Sequence, residues 1–384
     1  MYFEFTEEHL MIKKAAHDFA HHECLPGVIE RDEKMEFPCE QLMKLADLGF
    51  LGMMVSTKYG GSGLDTVSYM LAMEEISKID ASVSVIMSVN NSLVCYALEE
   101  YGSEEQKIAY LTPLAKGKRE AELYIGAFLL SEPESGSDAT SLKTTATPED
   151  DFYVINGTKN WVTGGSSASV YLVVAQTDPT KKSRGTNIFI VEKDTPGVLV
   201  GRKENKLGVR ASDTHTIIFN DVKVPKENKL GKDGSGLTIA LKALTAGRIG
   251  IASQALGIAA GAYERCLEYS KQRRSFGKAI MHHQTIQFKL ADMAIRIEAA
   301  RLLCLKAAVE KDRNKDCTLS SSIAKVFASE TAMWATVEAV QIHGGNGYVK
   351  EYHVERLLRD AKITQIYEGT SEVQRMLISR IILK

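Results

Sequence analysis

The sequence has no paired cysteines and no surplus of either charge. Its six cysteines are Cys24, Cys39, Cys95, Cys266, Cys304 and Cys317. None of them forms a Cys-x-x-Cys pair, which argues against a disulfide framework or a zinc site and predicts reduced thiols in a reducing compartment. With 47 basic and 49 acidic residues the formal net charge is −2, so composition gives no general affinity for nucleic acid or an anionic membrane.

Signals for export or membrane insertion are not evident either. Met1-Tyr2-Phe3-Glu4 has no basic region followed by an apolar one, so no secretory signal is expected. The uncharged stretch from Ile249 to Tyr263 is too short and too rich in Gly, Ala and Ser for a membrane span. We expect no membrane contact, and a location in the bacterial cytoplasm or, for a mature eukaryotic chain, in the mitochondrial matrix.

The usual phosphate-binding motifs are missing. Tyr59-Gly60-Gly61-Ser62-Gly63 lacks both the G-x-G-x-x-G order and a preceding strand, and there is no P-loop. Any nucleotide cofactor must therefore be bound in another way. His17 and His21 have the spacing of a metal pair but no third ligand, so a solvated helix face is the better interpretation and no metal site is predicted.

The pattern of the chain changes twice, and 384 residues suffice for two or three structural units. The apolar periodicity of residues 6 to about 120 predicts helices, and Thr6 is the predicted N-cap of the first one. Helical periodicity returns from Gly236. We predict an α+β multidomain protein with a helical domain at 1–122, an all-β sandwich or barrel at 123–232 and an antiparallel helical bundle at 233–384.

Predicted strands and helices follow from these patterns. The strands are Tyr124–Leu130, Phe152–Ile155, Val170–Thr177, Asn187–Val191 and Thr214–Phe219, with turns at Asn156-Gly157, Asp178-Pro179 and Thr195-Pro196-Gly197. The helices are Gly236–Gln272, Gln284–Arg313, Thr318–Ile342, Glu351–Asp360 and Glu372–Ile382. Four glycines in the first helix permit close approach of a ligand or of another helix, and tight helix packing explains most of them (Gly247, Gly250, Gly257, Gly261).

One carboxylate stands out near the carboxyl end, in Ile366-Tyr367-Glu368-Gly369-Thr370-Ser371-Glu372. Gly369 permits a positive φ, and Ser371 with Gln374 matches a capping box that starts a helix. Glu368 is therefore predicted on a turn, facing open space, as suits a general base. The alternative is an acidic residue that only favours a helix N-terminus.

Four other segments combine glycines with polar or aromatic side chains. They are Phe128–Asp138, Trp161-Val162-Thr163-Gly164-Gly165, Arg273-Arg274-Ser275-Phe276-Gly277-Lys278 followed by Gln284, and Gln341–Tyr348. Each also has a structural explanation, respectively a turn, a core anchor, cations at a helix C-terminus and a glycine C-cap.

Together these segments resemble the acyl-CoA dehydrogenase family over essentially the whole chain. The motifs, in the family's order, are Met73-Glu74-Glu75-Ile76, Leu130-Ser131-Glu132-Pro133, Asn156-Gly157-Thr158-Lys159, Gly247-Arg248, Phe276-Gly277, Phe288–Met293, Gly344-Gly345-x-Gly347-Tyr348 and Ile366–Thr370. Residues 85–92 and 250–257 look most similar to the short-chain (butyryl-CoA) branch.

The resemblance implies bound FAD, a homotetramer and a set of contact residues. Flavin contacts would come from Phe128, Leu130, Ser131, Ser137, Trp161, Thr163, Thr370 and Glu372, with Thr163 near N5. Contacts to the FAD of a neighbouring subunit would come from Arg273, Phe276, Gln284, Gln341, Gly344 and Gly345. Substrate contacts would come from Ser137, Arg248, Gly369, Gln254 and Thr364.

The implied reaction makes a trans-2-enoyl-CoA from a short-chain acyl-CoA. Glu368 would remove the α-proton while the β-hydrogen leaves as hydride to the flavin, and an electron-transfer flavoprotein would reoxidise FAD. The Glu368 backbone N–H and a ribityl hydroxyl would stabilise the enolate oxygen. Gln254 and Thr364 would shorten the acyl cavity, although ordinary helix packing explains them nearly as well.

Two departures and three alternatives stay open. Thr245 stands where many relatives have an acidic residue, and His343 replaces a more usual apolar one, with a role in flavin tuning or in packing. The enzyme could act on branched short-chain acyl-CoAs, or use oxygen as an oxidase, although the long extension of many oxidases is missing. A nucleic-acid-associated flavoprotein without catalysis is disfavoured by Glu368 and the net charge.

Overall fold

The computed structural model describes residues 4–384, and it confirms the predicted α+β order of helices, strands and helices. The amino-terminal helices are α1 (Glu7–Phe19), α2 (Val28–Lys34), α3 (Cys39–Asp47), α4 (Thr66–Ser77), α5 (Ala81–Ser88), α6 (Tyr96–Tyr101), α7 (Glu104–Gln106) and α8 (Thr112–Lys116). Thr6 caps α1 as predicted, since its side chain accepts the His9 N–H at 3.2 Å.

Helix α4 is the centre of the amino-terminal region. Every residue of α4 is buried, because the helix packs against α1, α5 and two long helices of the carboxyl-terminal region. Its N-cap, Asp65, accepts the Ser68 N–H at 2.8 Å. A helix that is enclosed on all sides needs no polar face, which explains why α4 has no clear amphipathic pattern.

The longest uncharged run of the sequence is Ala81–Leu98, so the expectation that rested on Ile249–Tyr263 overlooked a better candidate for a membrane span. Helix α5 continues through a π-helical turn, Val89–Cys95, into α6. By length and composition this segment, Ala81–Tyr101, could cross a bilayer, but 94% of its apolar window is buried inside the chain. Its apolar side chains therefore serve the core of the protein.

One eight-stranded sheet forms the middle region. The strands are β1 (Lys118–Arg119), β2 (Glu122–Leu123), β3 (Gly126–Leu129), β4 (Thr145–Pro148), β5 (Phe152–Thr163), β6 (Val170–Gln176), β7 (Thr186–Glu192), β8 (Val198–Lys203), β9 (Thr214–Pro225) and β10 (Lys229–Leu230). The order in the sheet is β10-β7-β6-β4-β5-β9-β8, with β3 pairing in parallel with β6, while β1 and β2 form a separate hairpin.

The Asn156-Gly157 pair does not form the predicted turn. It lies inside β5, where the pairing with β9 shifts register between Ile155 and Gly157. Gly157 has φ 145° and a Cβ there would lie 2.7 Å from Cα of Thr144, so the glycine is required by a β-bulge rather than by a hairpin. The sequence patterns also missed β4, β8 and β10, which are short or have exposed residues.

Long helices form the carboxyl-terminal region, and four of the five predicted helices have the predicted bounds to within one residue, whereas the helix predicted at Glu351–Asp360 begins and ends three residues later. They are α9 (Gly236–Gln272), α10 (Gln284–Asp312), α11 (Thr318–His343), α12 (Val354–Ile363) and α13 (Ser371–Ile382), with a small hairpin, β11 (Arg274–Ser275) and β12 (Lys278–Ala279), after α9. Helices α9, α10 and α11 pack against one another, and α9 also packs on α4.

Two glycines of α9 explain its contact with α4. A Cβ at Gly257 would lie 2.6 Å from Cβ of Ser77, and one at Gly261 would lie 2.8 Å from Cα of Lys78. These two glycines therefore serve helix packing, as the sequence suggested for most of the four. Gly247 and Gly250 have other neighbours, which belong to the site described next.

Candidate active site

Glu368 lies on the turn between α12 and α13. It has φ 52°, in the left-handed region that few non-glycine residues adopt, and Gly369 follows with φ 93°. Helix α13 is capped by Thr370, whose hydroxyl accepts the Val373 N–H at 3.3 Å, so the predicted capping box at Ser371 is wrong. Gln374 instead donates through Nε2 to the carbonyls of Glu368 and Gly369, both at 3.2 Å.

The carboxylate of Glu368 points inward rather than into open space as predicted. Its Oε2 is buried and accepts no hydrogen bond among residues 4–384. It lies against α9 at Gly247, where a Cβ would be 2.7 Å from Cδ of Glu368 and 2.9 Å from Cδ2 of Leu93. An unpaired carboxylate oxygen in a buried position is free to accept a proton from a ligand.

Burial raises the pKa of Glu368 to about 8, and the positive charges of Lys325 and Arg248 oppose that rise. Arg248 is the next residue after Gly247 on α9. Lys325 is buried on α11 and donates through Nζ to the Gly369 carbonyl at 2.7 Å. Glu368 therefore has the environment of a carboxyl group that exchanges a proton near neutral pH.

Arg248 is buried and incompletely paired. Its Nη1 donates to Oγ1 of Thr245 at 3.4 Å, and its Nε has no partner in the described part of the chain. Burial lowers the pKa of Arg248 from its usual value. Thr245, the departure noted in the sequence, thus provides a weak neutral partner where a carboxylate would neutralise the arginine, so the guanidinium keeps hydrogen-bond donors for a ligand.

Gln254 and Thr364, the two predicted substrate-cavity residues, are both fully buried. Gln254 lies seven residues after Gly247 on the same face of α9, about 10 Å along the axis. Its Nε2 donates to the Ala81 carbonyl at 2.9 Å and to Oγ of Ser84 at 3.1 Å, and its Oε1 accepts from the hydroxyl of Tyr367. Thr364 Oγ1 donates to the Ala361 carbonyl at 2.7 Å.

Between Gly247 and Gln254, the face of α9 meets two hydroxyl groups. A Cβ at Gly250 would lie 2.5 Å from both the hydroxyl of Tyr69 and Oγ of Ser88. Tyr69 is fully buried and donates to Ser88 at 3.1 Å. The space next to Glu368 is therefore bounded by polar, tightly held groups within two helical turns.

The predicted flavin residues of the β region lie on β3, on the loop after it and near the end of β5. Ser131, after β3, accepts the Asn160 N–H of β5 at 2.9 Å through its carbonyl. Trp161 follows with φ 61° and is 63% exposed, and Thr163 ends the strand half-buried. Phe128 is half-buried, and Ser137 is exposed on the loop after β3.

An ion pair that the sequence did not predict supports this loop. Lys159 is fully buried and donates through Nζ to Oε1 of Glu132 at 2.7 Å and to the Leu130 carbonyl at 3.1 Å. Glu132 also accepts the Lys143 and Thr144 N–H groups at 2.6 and 3.0 Å. The pair ties the loop that starts at Leu130 to β5.

The π-helical turn Val89–Cys95 links β3 to Glu368. Leu93 touches the Gly247–Glu368 contact, and the next residue, Val94, packs on Gly126 at the start of β3, where a Cβ would be 2.5 Å from Cγ1 of Val94. A large exposed aromatic side chain on an otherwise well-packed sheet leaves apolar surface for a planar ligand. The residues present therefore fit the isoalloxazine ring of FAD.

A second group of predicted cofactor residues lies elsewhere. Arg273 is 26 residues after Gly247, about 39 Å along α9. Phe276 is 94% exposed, and Gly344 and Gly345 have open space where a Cβ would be. All members of this group are exposed, and they sit at the far ends of the long helices (Arg273, Phe276, Gln284, Gln341, Gly344, Gly345).

Thr370 and Glu372 lie at the start of α13, close to Glu368 in the chain. Thr370 is half-buried and Glu372 is exposed. Backbone N–H groups at the start of α13 lower the pKa of Glu372. These two residues lie on the Glu368 side of the molecule, apart from the exposed group at the far end of α9.

His343 packs inside the chain. It is buried, its Nδ1 lies 2.8 Å from the Ala339 carbonyl, and its ring stacks on Tyr269 at 4.2 Å between centroids. On α1, Nδ1 of His17 lies 3.2 Å from a carboxylate oxygen of Glu75 on α4. Within residues 4–384 no group of three or more His, Cys, Asp or Glu residues has the arrangement of a metal site.

Sequence reasoning missed Lys325 as well as the Lys159–Glu132 pair. Lys325 shares a face of α11 with Ala328, Ser329 and Ala332, all buried. A lysine on the same helix face as small buried residues is rarely buried without a partner. This pattern on α11 could have identified Lys325 from the sequence. No pattern links Lys325 to Glu368, because 43 residues separate them.

Comparison with known proteins assigns the family. Three family models match the chain, namely the acyl-CoA dehydrogenase N-terminal domain over residues 6–118, the middle domain over 127–222 and the C-terminal domain over 234–383. An acyl-CoA dehydrogenase of Bacillus subtilis is 49% identical over 378 residues, which cover 98% of both chains.

Two further similarities cover nearly the whole chain. The mitochondrial short-chain specific acyl-CoA dehydrogenase of Rattus norvegicus is 47% identical over 99% of this chain and 91% of its own length. The structure of butyryl-CoA dehydrogenase from Megasphaera elsdenii superposes with a TM-score of 0.97 at 47% identity over 100% of both chains. The chain thus belongs to the acyl-CoA dehydrogenase family and is an acyl-CoA dehydrogenase, a flavoprotein oxidoreductase with FAD as its cofactor.

Proposed function

We propose that this enzyme converts short straight-chain acyl-CoA thioesters, with butyryl-CoA as the reference substrate, to trans-2-enoyl-CoA. The observation that carries the proposal is the buried, unpaired Oε2 of Glu368 beside Gly247. In the reaction the α C–H bond breaks and its proton passes to the Glu368 carboxylate. Bound FAD would supply the acceptor for the β-hydrogen, which leaves its carbon together with the bonding electron pair. The raised pKa of Glu368 reduces the difference between its pKa and the much higher pKa of the substrate α C–H group. Proton transfer between two groups is easier when this difference is smaller.

The negative charge that develops on the thioester oxygen must be stabilised by a hydrogen-bond donor. The Glu368 N–H makes no hydrogen bond within residues 4–384 and lies on a turn with positive φ. We assign it as one donor to that oxygen. Removal of one such donor typically costs about 3 kcal/mol of transition-state stabilisation, and the fixed turn keeps the donor and the base together.

The CoA part of the substrate is assigned to Arg248 and Ser137, with Gly369 beside the thioester. Arg248 supports this assignment because it is buried with a free Nε and has only a weak contact to Thr245. A guanidinium with unused donors suits a polar or phosphorylated ligand.

Short acyl chains are favoured by the groups that bound the space below Glu368. Gln254 makes three hydrogen bonds to the protein and lies only two helical turns from Gly247. Tyr69 and Ser88 occupy the face between them. We propose that Gln254 and Thr364 end the acyl cavity, and that longer chains are rejected because they would have to displace satisfied polar groups.

The flavin site is proposed to be completed by a second copy of the chain. Trp161, Thr163, Phe128, Leu130, Ser131, Thr370 and Glu372 are assigned to the flavin of the same subunit. Arg273 is about 39 Å along α9 from Gly247, so it and its exposed neighbours are assigned to the FAD of another subunit in a homotetramer. An electron-transfer flavoprotein is proposed as the acceptor that reoxidises the flavin.

Two further proposals follow from the sequence. We assign the domain boundaries 1–122, 123–232 and 233–384. We place the enzyme in the cytoplasm of a bacterium, or in the mitochondrial matrix if the chain is a mature eukaryotic protein.

The test is anaerobic reduction of the FAD holoenzyme by butyryl-CoA, which is monitored through the loss of flavin absorbance. Wild type should bleach within a stopped-flow measurement, while Glu368→Gln should bind FAD and butyryl-CoA but remain oxidised. Bleaching of the variant at the wild-type rate would refute Glu368 as the base. A series from C4 to C12 tests chain length, and a kcat/KM maximum at C8 or above would refute the short-chain proposal.

A further inference from the structure

Lys325 and Gln374 converge on one carbonyl group next to the base. Lys325 donates through Nζ to the Gly369 oxygen at 2.7 Å, and Gln374 donates through Nε2 to the same oxygen at 3.2 Å. Both side chains are fully buried. The turn that holds Glu368 in its left-handed conformation is thus fixed from α11 on one side and from α13 on the other.

A buried ammonium group loses its hydration, and this loss must be offset by hydrogen bonds or by an opposite charge. Lys325 forms no ion pair within 4.0 Å in the described part of the chain, and its only hydrogen bond there goes to Gly369. Burial lowers the pKa of Lys325 to about 8, and Glu368 is the charge that opposes this most strongly. An isolated buried charge is costly, so the position is explained by the carboxylate it faces rather than by packing.

We propose that Lys325 is a positioning residue for Glu368, which holds the Glu368–Gly369 turn through the carbonyl contact and supplies the positive charge that keeps the carboxylate available as a base. This inference rests on the proposed role of Glu368. Lys325 itself touches neither substrate nor the reacting atoms in the assignment made above.

Other charged and titratable groups surround the same space. Arg248 on α9 is the second cation that faces Glu368, and Glu372 on α13 is the second carboxylate that faces Lys325. The phenols of Tyr69 on α4 and Tyr367 beside the base are also affected by the Glu368 charge, and burial keeps both of them neutral. Among residues 4–384, loss of Lys325 therefore leaves Arg248 as the only cation opposing the protonation of Glu368.

The charge and the hydrogen bond of Lys325 can be separated by substitution. Lys325→Gln retains a donor for the Gly369 carbonyl but has no charge, and Lys325→Arg retains both. Lys325→Met is a second neutral variant that fills similar volume, should the glutamine variant fold poorly. Lys311→Gln is the matched control, because Lys311 is a half-buried lysine of α10 that bonds to Thr66 and is not among the charges that affect Glu368.

The first measurement is the pH dependence of the second-order rate constant for flavin reduction of the holoenzyme by butyryl-CoA, from about pH 6 to about pH 9.5. Near pH 7 we expect Lys325→Gln and Lys325→Met to be about tenfold slower than wild type and to recover as the pH rises, since one pKa unit corresponds to a tenfold change in ionised fraction. Lys325→Arg and Lys311→Gln should keep the wild-type profile.

The second measurement needs no turnover. The carboxyl infrared band of Glu368, identified with 13C-labelled glutamate by its absence in Glu368→Gln, should titrate at higher pH in the two neutral variants. An unchanged titration, or a loss of rate that is the same at every pH, would overturn the proposal. If Glu368→Gln still bleaches at the wild-type rate, the proposed function fails instead, and the infrared titration continues to report on Lys325 separately.

Discussion

The carboxylate of Glu368 occupies the space that a side chain at Gly247 would need. A Cβ at Gly247 would lie 2.7 Å from Cδ of Glu368, although α9 and the turn before α13 are 121 residues apart in sequence. The two elements can approach only because the helix has no side chain at that point. Gly247 thus determines where the carboxylate sits.

We expect Gly247→Ala to retain FAD and to reduce the rate of flavin reduction by butyryl-CoA by about tenfold to a hundredfold, because displacement of a reacting group by about 1 Å can cost a hundredfold. Gly257→Ala is the contrasting variant. Its added methyl group would meet α4 near Ser77, so it should lower Tm while the rate per bound flavin stays close to wild type. A Gly247→Ala enzyme that is as fast as wild type would contradict this account.

Stability should depend on pH through Glu368. Burial raises the pKa of its carboxyl group from 4.5 to about 8 in the folded chain. The contribution of the Glu368 carboxyl group to the free energy of unfolding is therefore complete below pH 4.5 and is lost as the pH rises toward 8. Glutamine does not ionise, so the Tm of Glu368→Gln minus that of wild type should grow over this range, by about 1 °C for each kcal/mol in a chain of 384 residues.

Glu372→Gln provides a control for the sign of this effect. Backbone N–H groups lower the pKa of Glu372, so its contribution is present at neutral pH and is lost on acidification. Differential scanning fluorimetry across the range should show opposite trends for the two variants. Parallel trends would mean that burial of the Glu368 carboxyl group does not control its titration.

Gln254→Ala should shift the preferred acyl chain from C4 toward C8 and should lower Tm. Removal of the amide opens space below the base and leaves the Ala81 carbonyl and the hydroxyl of Tyr367 without this partner, at about 1–3 kcal/mol for each unsatisfied group. Ser253→Ala is the matched control, since Ser253 is buried beside Gln254 but bonds only to its own helix at Ile249. An unchanged kcat/KM profile in Gln254→Ala would reject the residue as the end of the cavity.

Subunit complementation can test the shared flavin site. Arg273→Ala and Glu368→Gln homotetramers should each reduce flavin poorly, the first through weakened FAD binding. Mixed tetramers formed by co-expression contain sites with Glu368 from one chain and Arg273 from the other, so activity should return to a substantial fraction of wild type. If mixed tetramers stay as inactive as the parents, both residues act on the same flavin within one subunit.

Much of the fold could be predicted from the sequence, since long periodic segments specify their own ends. The first bundle helix begins and ends at the predicted residues, Gly236 and Gln272. The Asn156-Gly157 pair was misinterpreted because a bulge and a hairpin demand the same backbone freedom of glycine. Only the pairing of β5 with β9, which is not local, distinguishes them.

The candidate site was predictable by residue type but not in its electrostatics. Glu368 was identified from its turn and its resemblance to family motifs, yet its burial depends on Gly247 and Leu93, which come from two distant helical segments. The same holds for Lys325 and for the Lys159–Glu132 pair. A charge is recognised as functional by its neighbours, and sequence patterns reveal neighbours only within one element.

The apolar segment Ala81–Tyr101 has a consequence for how the chain is made. It packs against α9, which a ribosome begins to synthesise only more than 130 residues later. Until then the aliphatic side chains that face α9 have no cover, and they present the type of surface that chaperones bind and that nucleates aggregates. Refolding from denaturant should therefore fail first through this segment, and yields should rise when chaperones or low protein concentrations delay association until α9 has docked.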